Sequence, residues 1–168
     1  SQYLGANRKE QVKTSVHTAM CIAVILGVVL SLLGVFLSPS LLVMMKTPKE
    51  VLKASSLYLQ IYCGGLIFNV IYNMATGILN AAGNSKKPLV YLAVASVTNI
   101  ILDLVLIKVF KLGVMGAAIA TDISQALSCV LALGYLFRVK SDYKLYIKEL
   151  KINKDIAVKI IKIGLPTA

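Results

Sequence analysis

The stretch LVYLAVASVTNIILDLVLI, running from Leu89 to Ile107, decides how the rest of the chain is read. At the rise of about 1.5 Å per residue of an α-helix it is long enough to cross about 30 Å of hydrocarbon, and Asp103 is its only charged residue. An aspartate near the centre of a membrane helix costs roughly 2.5–3.5 kcal/mol, so a carboxylate at that depth marks a place where an ion or proton is handled. Asn99 stands four residues earlier, on the same helical face, with Ser96 one turn before it. The run therefore carries a short polar stripe on a helix otherwise suited to lipid.

Three further segments have comparable length and apolar character: His17 to Leu37, Leu57 to Leu79, and Val114 to Phe137. The first two hold no charged residue, and the third holds Asp122. With 58% hydrophobic residues and a mean hydropathy of +0.80, a soluble domain would have too little polar surface. The expectation is an all-α, polytopic membrane helix bundle whose surroundings are the lipid bilayer.

A net charge of +11 invites a nucleic-acid reading, but the basic residues lie between and after the apolar segments rather than on one folded face. That distribution excludes nucleic acid as a partner and reports orientation instead. Thirteen lysines and arginines fall on one side of the four spans, among them Arg8, Lys9, Lys86, Lys87 and Arg138, against five on the other. By the positive-inside rule the richer side is cytoplasmic, which puts both ends of the chain on the inner face of a cell membrane, plasma or bacterial inner. The cysteines Cys21, Cys63 and Cys129 show no metal-ligand spacing and read as small core residues. The chain opens on Ser1-Gln2 and stops at Thr167-Ala168, so it reads as part of a longer protein.

Ser38-Pro39-Ser40 is expected to end the first span. Thr47-Pro48-Lys49-Glu50 reads as a capping box with Thr47 at N-cap, Pro48 at N1 and Glu50 at N3. The polar turn Ala82 to Pro88 and the short link around residues 108–113 imply antiparallel neighbours. Residues 138–163 form a basic cytoplasmic linker in which Ile152, Ile156, Ile160 and Ile163 share a face, the pattern of an interfacial amphipathic helix.

Across a tight turn centred near Leu112, residues whose numbers sum to about 224 lie at one depth. Asp103 is then level with Thr121, and Asn99 with Gln125. Thr121, Ser124, Gln125 and Ser128 share one face of the last span. A carboxylate between an amide and a hydroxyl offers hard oxygen ligands to Na⁺, or holds a proton. Asn99, Thr121 and Gln125 equally serve as polar contacts between helices. Asp122, one position off the Thr121 face, reads as a second proton site, a helix-start residue, or a partner of Lys108 or Lys111. Asn69, Asn73, Thr76, Gly77 and Asn80, with Tyr62 and Gly65 earlier, line either a water-filled path or a close helix contact. His17 reads as an interfacial residue beside Lys13. An enzyme is excluded, because the spans hold neither a His-Glu-x-x-His nor a Gly-x-Gly-Asp motif and only two acids; a purely structural membrane subunit remains as an alternative.

Several strings, taken in order, resemble one family. They are Ser1-Gln2-Tyr3-Leu4-Gly5-Ala6, Tyr58-Leu59, Ala82-Gly83-Asn84-Ser85-Lys86-Lys87-Pro88, Asn99-Ile100-Ile101-Leu102-Asp103 and Gly116-Ala117-Ala118-Ile119-Ala120-Thr121. Together with Gly164-Leu165-Pro166 they are similar to the multidrug and toxic compound extrusion (MATE) family, over about the third to sixth helices of its amino-terminal lobe. The resemblance implies a twelve-helix, two-lobe transporter, with residues 1–137 in the first lobe and 164–168 opening the second. It implies secondary active efflux, an antiport of cationic or amphipathic small molecules, drugs or metabolites, against Na⁺ or H⁺, with no other cofactor. A lipid-linked oligosaccharide flippase of the same superfamily is the alternative. The family's ion site carries over onto Asn99, Asp103 and Thr121, the resemblance's candidate Na⁺ ligands, and takes a further Asp from a first helix outside this chain. The remaining helices and second lobe of the same polypeptide are the implied partners. Asn80 departs from the pattern, where relatives carry Arg.

Overall fold

The computed structural model describes residues 9–164, with side chains through residue 162. The matching strings Ser1–Ala6 and Leu165–Pro166, Arg8 and the side chain of Ile163 lie outside the described residues. The chain forms α1 (Lys9–Met44), α2 (Lys49–Gly64), α3 (Leu66–Ala81), α4 (Lys86–Asp103) continued by a π-helical stretch Leu104–Val109, α5 (Gly113–Arg138), a single 3₁₀ turn Ile147–Glu149 and α6 (Lys154–Gly164). Three of these helices are long and apolar enough to span a membrane, and a fourth span results if α2 and α3 count as one bent element.

The first span does not stop at Pro39: α1 runs 36 residues straight through it. Proline removes the N–H that would bond the carbonyl four residues back, here that of Val35. Gln60 of α2 compensates by donating its Nε2 to that carbonyl at 3.4 Å, so a neighbouring helix satisfies what the ladder loses. Ser38 donates to the Gly34 carbonyl in the same turn. The capping box also fails. Pro48 sits at N-cap and no side chain caps the helix, while the Pro48 carbonyl accepts the Val51 and Leu52 N–H groups.

The second span is broken as well. α2 and α3 meet at Gly65 with a 40° bend. Ser31 of α1 stands in the gap, where its Oγ accepts the Ile67 N–H at 3.0 Å and donates to the Gly64 carbonyl at 3.5 Å. A side chain inserted into the backbone ladder is a recognised cause of a kink. Small residues on α1 permit this approach. A Cβ at Gly27 would meet Ile67 Cα at 3.1 Å, and one at Gly34 would meet Cys63 Cβ and Sγ at 2.7 Å. Gly27, Ser31, Gly34 and Ser38 thus form a close-packing seam of the kind that brings membrane helices together.

The turn after α3 follows from Gly83, whose φ is +78°. Asn84 N–H returns to the Leu79 carbonyl at 2.8 Å and Gly83 N–H to that of Asn80 at 3.0 Å, the paired bonds of a Schellman ending. The core lies between α1, α3 and α5: Val12, Val16 and Met20 meet Ile71, Ala75, Ile78 and Leu79, with Cys129, Ala132 and Leu136 opposite. Outward-facing residues such as Phe36, Leu89, Val97 and Val130 are exposed, as lipid-facing positions are. Cys63 and Cys129 are buried and Cys21 half-buried, all three as free thiols, so all are packed small residues.

His17, beside Lys13, is 2% exposed. Its Nδ1 lies 2.7 Å from the Lys13 carbonyl, Nε2 accepts the Tyr146 N–H at 3.0 Å, and the ring stacks on Tyr146. Thr18 accepts the Asn153 N–H at 3.2 Å, and Lys13 pairs with Glu149 at 2.5 Å. The Glu149 carboxylate holds the Lys13 ammonium above the usual lysine range. The linker after α5 is therefore pinned against the base of α1. α6 begins two residues later than the isoleucine pattern predicts, so Ile152 precedes it and is exposed, while Ile156 and Ile160 are half-buried.

Candidate functional site

α4 packs against α5 and scarcely touches α3. The space left between α3 and α4, closed behind by α5, is a cavity of about 820 Å³. At one end it reaches Ser85, Lys86 and Pro88, where Tyr72 Oη donates to the Pro88 carbonyl at 2.8 Å. At the other end lie Asn99 and Thr121. Asn69, Asn73, Thr76 and Asn80 come from α3, Ser96 and Asn99 from α4, and Thr121, Ser124, Gln125 and Ser128 from α5. Four residues of the α3 stripe, Asn69, Asn73, Thr76 and Asn80, thus face this cavity. Gly77 departs from it and lies on a smaller apolar groove with Val12 and Met74.

The cavity brings Asn99, Thr121 and Gln125 together, as the depth count across the turn predicts. Thr121, Ser124 and Ser128 each give their hydroxyl proton to a backbone carbonyl of their own helix, at 2.9, 2.7 and 2.9 Å. Their oxygens are thereby left with lone pairs to offer the cavity. On α3, Asn73 Nδ2 donates to Asn69 Oδ1 at 2.7 Å and to the Asn69 carbonyl at 2.9 Å.

Asp103 stands one turn beyond Asn99, and the cavity lining stops short of it. It is the last residue of α4 before the backbone changes to π geometry. π-helical turns are frequent at functional sites. Sequence periodicity gave no sign of it. Asp103 Oδ1 and Asn99 Nδ2 are both buried without a hydrogen-bond partner among the described residues. Buried polar atoms are nearly always satisfied, so two orphans one turn apart make this end of the cavity the candidate site. The amide of Asn99, the carboxylate of Asp103 and the hydroxyl of Thr121 are oxygen groups of the kind a small hard cation takes.

Asp122 points elsewhere. It is absent from the cavity lining, takes no part in either described ion pair, and faces Gly65 at the bend. The proposed pairing with Lys108 or Lys111 does not form.

The family model MatE matches residues 1–105. The probable multidrug resistance protein YoeA of Bacillus subtilis is 32% identical over 99% of this chain and 38% of its own length. The multidrug export protein MepA of Staphylococcus saprophyticus is 29% identical over 99% of this chain and 37% of its own. Among solved structures, a multidrug resistance MATE family transporter of the MOP superfamily superposes in its inward-facing form with a TM-score of 0.88, at 26% identity over 99% of this chain and 38% of that one. An outward-facing form superposes at 0.89, with 25% identity over 98% and 37%. The chain thus spans somewhat over a third of the length of the relatives it matches, over the helices that enclose its polar cavity, and it belongs to the MatE family.

Proposed function

We propose that this chain is the cation-binding part of a secondary transporter that exports cationic or amphipathic small molecules in exchange for entering Na⁺ or H⁺. The single observation that carries this reading is the orphaned pair Asn99 Nδ2, at the deep end of a polar-lined cavity, and Asp103 Oδ1, one helical turn beyond the lining. An empty, ionised Asp103 is costly at that depth, and a bound cation or proton removes the cost. Cation occupancy therefore biases whichever arrangement of the transporter encloses Asp103 most tightly, by the difference in binding free energy between the two arrangements. Thr121 and Asn99 supply neutral oxygens, and Gln125, Asn69 and Asn73 line the path that substrate or hydrated ion follows.

The comparable fit to inward-facing and outward-facing neighbours supports a segment that moves as one body while access alternates around its site. On this reading both ends of the chain face the cytoplasm, in a multi-pass arrangement in the cell membrane. The rest of the polypeptide supplies the opposing lobe. The test is efflux of a cationic dye from proteoliposomes holding the full-length protein, with Na⁺ and pH gradients imposed separately. One gradient is expected to drive efflux; efflux that follows neither overturns the proposal.

A further inference from the structure

The linker that follows α5 is held to the base of α1 through one histidine in a single protonation state. His17 is buried and both of its ring nitrogens are engaged. Nδ1 lies 2.7 Å from the Lys13 carbonyl, a group that only accepts, so Nδ1 carries a hydrogen. Nε2 lies 3.0 Å from the Tyr146 backbone nitrogen, a group that only donates, so Nε2 carries a lone pair. The two partners together fix the neutral imidazole with its hydrogen on Nδ1. A second proton has one place to go, Nε2, where it meets the Tyr146 N–H. The hydrogen bond is then lost, and two donors face each other in a buried contact.

The charges around the ring do not offset that loss. On α1, Lys13 stands one turn and Glu10 two turns before His17. Lys13 is paired with Glu149, and the two carboxylates line the cleft beside His17, yet neither ring nitrogen is free to donate to them. Lys13 and Lys144 each hold Nζ 5.1 Å from the centroid of the Tyr146 ring, on which the His17 ring stacks. An imidazolium would be a third positive charge around that ring. Elsewhere on the linker Asp142 is engaged by Lys9 at 3.9 Å, and Lys148 and Lys151 are exposed. α3 carries no charged residue, while Arg138 of α5 and Lys154, Asp155, Lys159 and Lys162 of α6 are all exposed. The neighbouring thiol of Cys21 and the phenols of Tyr143 and Tyr146 bring no charge in neutral or acidic solution.

The segment held in this way has two ends. Its start is the His17 bond to Tyr146, and its finish is Thr18, which accepts the Asn153 N–H at 3.2 Å and donates to the Lys151 carbonyl at 3.4 Å. Only the first bond is sensitive to a proton. Before the segment, the Leu145 N–H reaches the Leu136 carbonyl at 3.0 Å and the Leu145 side chain is buried in the core, so release stops there.

We propose that His17 is a proton-operated latch on the linker. Neutral, it holds Tyr146; on taking one proton from the medium at Nε2 it frees residues 146–153 from α1 while the spans stay packed. Docking and that proton exclude each other, so the docked linker predominates at neutral pH and is lost as the pH falls. The test is hydrogen–deuterium exchange of the full-length protein in detergent at about pH 7.5 and about pH 5, each rate being divided by that of an unstructured chain at the same pH. Protection of the Tyr146 amide is expected to fall about tenfold at the lower pH, while that of Ala75 in the core is unchanged. In His17→Gln, whose side-chain oxygen accepts a hydrogen bond but takes no proton, the pH dependence is expected to vanish. In Glu149→Gln it is expected to remain. Equal protection of Tyr146 at both pH values in the parent overturns the proposal, as does a pH dependence that persists in His17→Gln or disappears in Glu149→Gln. Loss of protection at Ala75 together with Tyr146 overturns it as well, because the change is then global and not a release of the linker.

Discussion

Replacing Gly34 by alanine sets two effects of opposite sign against each other. In a helix interior alanine is favoured over glycine by about 1 kcal/mol, so a Gly34 in open surroundings would be stabilised by the change. Here the new Cβ would lie 2.7 Å from both Cβ and Sγ of Cys63, well inside van der Waals contact. Because Cys63 Cβ is fixed to the backbone, rotation of the thiol does not relieve the overlap and α1 must move away from α2. Overpacking of this kind costs about 1–3 kcal/mol, so the net result is destabilisation. Gly77, whose Cβ would meet nothing within 4 Å, provides the control, and Gly77→Ala should be neutral or stabilising. The assay is the apparent thermal midpoint of the full-length protein in detergent, with Gly34→Ala, Cys63→Gly and the double variant forming a cycle. The double variant should recover stability relative to the sum of the singles, by about 0.5–3 kcal/mol for residues in contact. A Gly34→Ala midpoint at or above that of the parent, with strictly additive effects, would refute the close approach of α1 to the bend.

Ser31→Ala removes the hydroxyl that bridges the Ile67 N–H and the Gly64 carbonyl. It should cost about 1 kcal/mol and accelerate amide exchange at Ile67 in hydrogen–deuterium measurements. His17→Ala leaves the Tyr146 N–H without its acceptor, so loss of about 1–3 kcal/mol should appear as faster proteolysis of the linker while the spans stay protected. Thr121→Val keeps the shape but removes an oxygen. It should weaken activation of transport by the coupling cation about five- to tenfold, the equivalent of about 1 kcal/mol, measured by titrating the cation at fixed dye concentration.

The positions of the spans were legible because length and apolarity report membrane crossing directly. That Asn99, Thr121 and Gln125 face one space was legible because a tight turn fixes relative depth. What could not be read were the features that depend on a neighbouring helix. Pro39 looks like a terminator until Gln60 is placed beside the Val35 carbonyl. Gly65 sits in an unbroken apolar run until Ser31 is placed in the gap beside it and Asp122 against it. The spacing of Gly27, Ser31, Gly34 and Ser38 was a usable signal for the α1 seam, since small residues at helical intervals mark close contacts. The π stretch after Asp103 had no such signal, because each of its residues is an ordinary apolar one.

The central claim is that Asp103 couples cation entry to export, and substitution of that one residue tests it most directly. Asp103→Asn in the full-length protein, reconstituted in proteoliposomes under an imposed Na⁺ or H⁺ gradient, is expected to insert and fold as the parent does, yet to show gradient-driven dye efflux at the level of empty vesicles. Gradient-driven efflux undiminished by the substitution would contradict the account.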